Sequence, residues 1–280
     1  MIRLSYTCRR GSTRQGIKYL LNSLTWWLSS VWGEQHSYKV KVAGSNPAAT
    51  TTRRLIMSFN IIGDIAGQYK TLLALLDKMP EGTPVSVGDM VDRGPNSKEV
   101  LEFFKENGLA VMGNHDHMML CEHKDNHYYD YGVWIWNGGG STLRSFFPDA
   151  DEANPQDLPK DLMDWVDNLP LYLELEENNA GVKAFVSHAV KNPTFTVEKA
   201  CELGNNAMDR KGMHSIIWNR GKSRRMEGFY QIFGHNSHWG LEKQMDQKGE
   251  YGICIDTSRS KVLTGIHWPS GVIYQQEYID

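Results

Sequence analysis

Residues 59–64 read Phe-Asn-Ile-Ile-Gly-Asp, a short apolar run that stops at a glycine and a carboxylate. The same figure recurs four times. Val85-Ser86-Val87-Gly88 leads to Asp89, Ala110-Val111-Met112-Gly113 to Asn114, Phe185-Val186-Ser187 to His188, and Gln231-Ile232-Phe233-Gly234 to His235. Such runs, bounded by turn residues, read as buried strands. Between the first two, Leu72, Leu75, Leu76 and Met79 recur at helical spacing, which predicts a helix over 68–79 that Pro80 and Gly82 end. Asn96 followed by Glu99 has the spacing of a capping box, before a helix that buries Val100, Phe103 and Phe104. This strand–helix alternation predicts parallel pairing. Farther on, a helix is expected at 159–168 and strands at 171–176, 182–187, 229–234, 252–256, 262–267 and 272–277. The late strands lack intervening helices and predict antiparallel pairing. The whole is an α/β domain with mixed sheet pairing.

The chain has 280 residues, 40% hydrophobic and 22% charged, enough for one large core or two small ones. No run of 18 or more apolar residues occurs, so no membrane partner is expected. Cys8, Cys121, Cys201 and Cys254 lie far apart, without zinc or redox spacing, and read as reduced thiols of a cytoplasmic protein. Charge is uneven. Residues 1–57 hold nine of the 30 Lys and Arg but one of the 33 Asp and Glu, so the rest is strongly acidic. An acidic body predicts no nucleic-acid partner, and an anionic substrate must be held by local arginines and metal.

Composition breaks near Met57, which divides the chain into a segment 1–57 and a domain 58–280. Three readings of the first segment compete. It is basic and carries an apolar stretch from Tyr19 to Trp32, as a targeting peptide would. It is also compatible with a disordered or partner-binding tail. Gly44-Ser45-Asn46-Pro47 is what one frame of a transfer-RNA T-arm would encode, which supports a non-native extension before a true start at Met57.

Five strand-end side chains, Asp64, Asp89, Asn114, His188 and His235, carry the chemistry. In open α/β sheets ligands gather beyond the carboxyl ends of the strands. One strand-end Asp is usually a turn residue or helix cap, and a lone His a satisfied structural group; the set of five changes the odds. Carboxylate, amide and imidazole without thiolate suit Mn, with Fe or Zn as further options. Five donors exceed a three-ligand site and suggest two divalent metals about 3.5–4 Å apart. Arg93, four residues from Asp89, is suited to bidentate phosphate binding. His115, beside Asn114, is placed as a general acid, with Asp116 next to it as the orienting carboxylate. The bland readings are a surface ion pair for Arg93 and a loop residue for His115. Trp218-Asn219-Arg220 offers a second arginine.

These segments resemble the phosphoprotein phosphatase family of metallophosphoesterases, whose motifs read Gly-Asp-x-His-Gly, Gly-Asp-x-Val-Asp-Arg-Gly and Gly-Asn-His-Glu. Trp136-Asn137-Gly138-Gly139-Gly140 and Trp218-Asn219-Arg220 resemble its bacteriophage lambda-type branch. The resemblance runs from Ser58 to the C-terminus and implies a calcineurin-like sandwich of two mixed sheets flanked by helices. It implies that Asp64 binds a first metal, Asp89 bridges, and Asn114, His188 and His235 bind the second. Arg93 and Arg220 would hold the phosphate, His115 would protonate the leaving group with Asp116 in support, and a metal-bound hydroxide would attack directly. Two positions depart from the pattern. Asp116 stands where the family has Glu, and Ala66 stands where it has a histidine ligand. Gln68 and His238 are the candidate substitutes.

The resemblance implies a serine/threonine phosphatase, with dual specificity as an extension. Its alternatives are a hydrolase of dinucleoside polyphosphates or small phosphoesters, and a non-catalytic phosphate-binding protein disabled by Ala66. Two smaller features stay open: the aromatic run Tyr128, Tyr129, Tyr131, Trp134, Trp136, as substrate groove or loop packing, and His123, Asp125 and His127, as metal site or exposed polar segment.

Overall fold

Apolar alternation sends the side chains of strand β1 (Phe59–Ile62) to two different cores. Phe59 and Ile61 face a second sheet, while Ile62 faces helices. Successive strand residues point to opposite faces, so a strand buried on both sides is apolar throughout. The structure is a computed structural model that describes residues 57–125, 132–178, 180–204 and 215–280. The segment 1–56, His127, Tyr128, Tyr129, Tyr131 and His214 lie outside the described residues.

From β1 the chain runs through α1 (Tyr69–Lys78), β2 (Thr83–Ser86), α2 (Ser97–Asn107), β3 (Leu109–Ala110) and α3 (Asn114–His123). After a π-turn at Ile135–Gly139 come α4 (Gly140–Phe146), α5 (Lys160–Asp167), β4 (Tyr172–Leu175), β5 (Lys183–Ser187) and α6 (Val197–Gly204). The chain ends with β6 (Phe229–Phe233), β7 (Glu242–Asp246), β8 (Gly249–Cys254), β9 (Val262–Trp268) and β10 (Val272–Glu277).

Two five-stranded sheets form, in the orders β10-β9-β1-β2-β3 and β4-β5-β6-β8-β7. In the first sheet the parallel trio β1-β2-β3 forms one side and antiparallel β9 and β10 the other; in the second the parallel trio β5-β6-β8 is central, with antiparallel β4 and β7 at the edges. Val85, Val87, Leu173, Val186, Ile232 and Ile253 fill the space between the sheets, and α1, α2, α3 and α5 cover the other face of the first sheet. Full burial contributes about 1.5–3 kcal/mol for each such aliphatic side chain. This is the two-sheet sandwich of mixed pairing, flanked by helices, that the resemblance implies. Among the described residues no helix is long and apolar enough to cross a membrane.

Three local expectations need correction. Asn96 precedes α2 but makes no side-chain cap, and its Oδ1 is buried without a partner. β7 was not expected, since Glu242-Lys243-Gln244-Met245-Asp246 has no apolar alternation; it is an exposed edge strand. The late strands β5, β6 and β8, expected to pair antiparallel, pair in parallel, because the long connections through α6 and through β7 return the chain to the same end of the sheet each time.

Candidate active site

All five strand-end residues converge where the parallel trios of the two sheets end. Donor atoms of Asp64, Asp89 and His188 lie within 4.8 Å of one another, and all three residues are buried. Asn114 Oδ1 sits 2.9 Å from His188 Nε2 and 2.7 Å from His235 Nδ1. The His235 backbone N–H donates to Asp64 Oδ1 and Oδ2 at 3.2 and 3.1 Å, tying the end of β6 to the end of β1. Small residues precede the donors because backbones and side chains touch there. A Cβ at Gly234 would overlap Asp64 Oδ1, and one at Gly113 would overlap the Asp89 backbone. Asp89, Asp92, Arg93, His235 and Ala66 all take positive φ. Such conformations cost about 1–3 kcal/mol each and cluster at functional sites.

The donor set fits divalent metal. His188 Nδ1–H donates to Val87 O at 3.0 Å, which leaves the Nε2 lone pair pointing inward. It faces Asn114 Oδ1 at 2.9 Å and Asp89 Oδ1 at 3.2 Å, acceptor against acceptor. A cation among them turns that repulsion into coordination, and the Val87 carbonyl fixes the ring as second partners of metal ligands do. Burial holds His188 below its ordinary pKa, and burial with His188 and Arg220 brings His235 down to about 2. Both imidazoles are therefore neutral at neutral pH, the state that binds metal.

Beside the donors lies a proton-handling group. His115 Nδ1–H donates to Asp92 Oδ2 at 2.6 Å, and Arg93 Nη2 lies 3.0 Å from Nε2. Asp92 also accepts from Thr142 Oγ1 at 2.7 Å and from Trp134 Nε1 at 3.0 Å. Burial works against a charge on His115, but the Asp89 and Asp92 carboxylates outweigh it and raise its pKa above the ordinary value.

Asp116 is placed differently from expectation. Its Oδ2 accepts from the backbone N–H of Asp89 and of Gly113, both at 2.9 Å, and its Oδ1 from Met90 N at 3.0 Å. His115 and Asp116 are consecutive in α3, and neighbours at i and i+1 on a helix do not face each other. Asp116 reaches back as an N3 capping carboxylate and pins the Asp89 turn to the helix, while Asp92 holds the imidazole. Burial and Asp89 push Asp116 up to about 7 against those N–H groups. The adjacency of Asp116 gave no hint of Asp92; the clue was its place between Asp89 and Arg93 in one short motif.

The arginines stand at two edges. Arg93 is held near Gly138, whose carbonyl accepts from its backbone N–H at 3.4 Å, so the Trp136–Gly140 segment folds over it. Arg220 Nη1 donates to His235 O at 3.3 Å and lines a pocket with Lys222, Asn236, Ser237 and His238. Neither expected substitute for an imidazole at position 66 is simply placed. His238 Nε2 is paired with Glu242 Oε2 at 2.5 Å, and Gln68 packs beside Gly94 with its Oε1 buried and unpartnered. His123 Nδ1 bonds Pro155 O at 3.0 Å, away from these donors.

Two mixed sheets with metal donors at the joined strand ends define a metallophosphoesterase. The family model for calcineurin-like phosphoesterases matches residues 57–253, and the chain belongs to that family. A relative from Marinomonas sp. (strain MWYL1), named symmetrical bis(5'-nucleosyl)-tetraphosphatase, is 30% identical over 168 residues, covering 57% of this chain and 54% of its own. One of the same name from Photorhabdus laumondii is 34% identical over 157 residues, covering 51% and 48%. The chain thus spans about half the length of these curated relatives. A solved structure of a candidate diadenosine tetraphosphatase has a TM-score of 0.50 at 22% identity, over 81% of this chain and 96% of its own. A cold-active protein tyrosine phosphatase has the same TM-score at 19% identity, over 80% of each. Both likenesses concern the fold.

Proposed function

We propose that this protein hydrolyses dinucleoside polyphosphates, with His115 as general acid and Arg93 and Arg220 as phosphate clamps. The observation that carries this reading is the pairing of the Asp92–His115–Arg93 group with the strand-end metal donors, in a chain whose curated relatives bear the tetraphosphatase name. The second support is the pocket beside His235, where Arg220 and Lys222 share the lining with Glu242, whose carboxylate is paired with His238. A single phosphate needs no cationic extension of that kind, whereas a polyphosphate chain does.

Asp64, Asp89, Asn114, His188 and His235 would hold two divalent ions. Bound there, the metals supply a Lewis acid for the phosphoryl oxygens and lower the pKa of the attacking water. Arg93 donates to His115 in the resting arrangement. A bound phosphate draws the guanidinium onto its own oxygens, which frees Nε2 to carry a proton. Asp92 keeps Nδ1–H in place and stabilises the charged ring, and His115 then protonates the departing oxygen. Asp116 acts on backbone alone, as the staple that keeps Asp89 in its strained turn.

The test is turnover by manganese-loaded protein of diadenosine tetraphosphate against a phosphoserine peptide. A larger kcat/KM for the tetraphosphate, with two nucleoside diphosphates as products, supports the reading. Preference for the peptide returns the protein to the phosphatase reading.

A further inference from the structure

We propose that the loop between β6 and β7 is a nucleoside subsite, with Trp239 as the platform on which one base of the substrate stacks. Such a subsite presupposes the dinucleoside polyphosphate substrate.

Trp239 is 75% exposed. An exposed apolar side chain alone carries no meaning; a fixed one beside a cationic pocket does. Chain neighbours on both sides of it, Ser237 and His238 before and Glu242 after, line the pocket that Arg220 and Lys222 also line. His238 Nε2 and Glu242 Oε2 pair at 2.5 Å, which closes the loop and leaves Trp239 at its tip. From His235 to Trp239 the chain can span at most about 14 Å, a length that a nucleoside diphosphate covers.

The tip is held in place by the turn that follows β8. Ser260 Oγ donates to the Trp239 carbonyl. Arg259 N–H donates to Ser237 Oγ at 2.9 Å, and His238 N–H to Asp256 O at 3.0 Å. The Arg259 guanidinium lies over the indole, 5.7 Å from the ring centroid, as a cation–π partner. With one face under arginine and the ring still largely in solvent, the other face is open to a flat ligand. An aromatic anchored in this way is preorganised, so stacking a base on it costs little ordering entropy.

The pocket supplies what the rest of a nucleoside diphosphate needs. Arg220 and Lys222 are exposed cations for its phosphates, and the bond from Arg220 Nη1 to His235 O joins that wall to the metal donors. The Asn236 side chain lines the same pocket and makes no hydrogen bond among the described residues, so its amide is available to a ribose hydroxyl or a base edge. Val190 and Phe233 add an apolar floor. Apolar surface with a few placed polar groups is the usual make-up of a small-ligand site. Every base has a π-face, so an indole recognises a nucleoside without selecting which base it carries.

Calorimetric titration of the manganese-loaded full chain with ADP and with pyrophosphate tests this. The unaltered protein is expected to bind ADP more tightly than pyrophosphate, which has the phosphates but no base. Trp239→Ala should weaken ADP by about 5- to 100-fold, the usual worth of one stacked base, and pyrophosphate by much less. Trp239→Phe, which keeps an aromatic face, should retain most of the ADP affinity. Unweakened ADP binding in Trp239→Ala, or equal weakening of ADP and pyrophosphate, overturns the subsite. So does a Trp239→Phe protein that loses as much as Trp239→Ala. Any of these results beside hydrolysis of diadenosine tetraphosphate by the unaltered protein overturns the subsite alone; absence of that hydrolysis overturns the substrate reading.

Discussion

Asp92 holds the His115 ring through a 2.6 Å hydrogen bond from Nδ1–H to Oδ2, across 23 residues of sequence. Asp92 is fully buried, and Trp134 and Thr142 fix it from the other side, so the imidazole has one orientation. That relationship sets the pH behaviour.

The carboxylates of Asp89 and Asp92 outweigh burial and raise His115 above its ordinary value of about 6.5. The protonated ring is the acid, so activity on a substrate that needs a proton falls as pH rises through the raised pKa. Asp92→Asn removes one of the raising charges. Its alkaline limb should move to lower pH, and kcat should fall by about 10²–10⁴, the usual worth of a positioned acid. A pH–rate profile of both proteins checks this.

The need for His115 depends on the leaving group. A phosphoanhydride expels a phosphate oxygen that leaves readily, whereas an alkyl phosphate expels an alkoxide that must be protonated. His115→Ala should lose about 10²–10⁴ with an alkyl phosphate and markedly less with diadenosine tetraphosphate. Equal losses on the two would count against the acid role.

Asp116 serves structure. Its removal leaves three backbone N–H groups, of Asp89, Met90 and Gly113, buried without their acceptor. Each such group costs about 1–3 kcal/mol. Asp116→Ala should lower stability by several kcal/mol in a denaturant titration, while Asp92→Asn, an isosteric change, should cost less. A silent Asp116→Ala would mean that other groups pin the Asp89 turn.

Arg220 and Lys222 line the pocket beside His235. A charged hydrogen bond contributes about 1.5–3 kcal/mol, or roughly 10- to 100-fold. The double change Arg220→Ala with Lys222→Ala should raise KM for diadenosine tetraphosphate by about that factor or more. The effect on p-nitrophenyl phosphate, which carries a single phosphate, should be smaller.

Much of this was legible because strand ends carry their own signal. β10 occupies the expected Val272–Glu277, and the five donors sit where apolar runs stop. The failures have physical causes. β7 is polar because an edge strand on the surface buries little. α3 hides its helical pattern because Asn114, His115 and Asp116 are buried for the site and not for an apolar stripe. Adjacency suggested Asp116 for His115, but helix geometry turns it away. Asp92 reaches the ring only through a loop of positive-φ residues, which no spacing rule encodes.

The most direct measurement is turnover of diadenosine tetraphosphate by metal-stripped protein as manganese is added back, with bound metal counted in the same samples. A two-metal centre gives no turnover without metal and a rise that reaches its plateau at two ions per chain. Full turnover in the presence of a chelator, or two bound ions with no hydrolysis of any phosphate ester or anhydride, would contradict it.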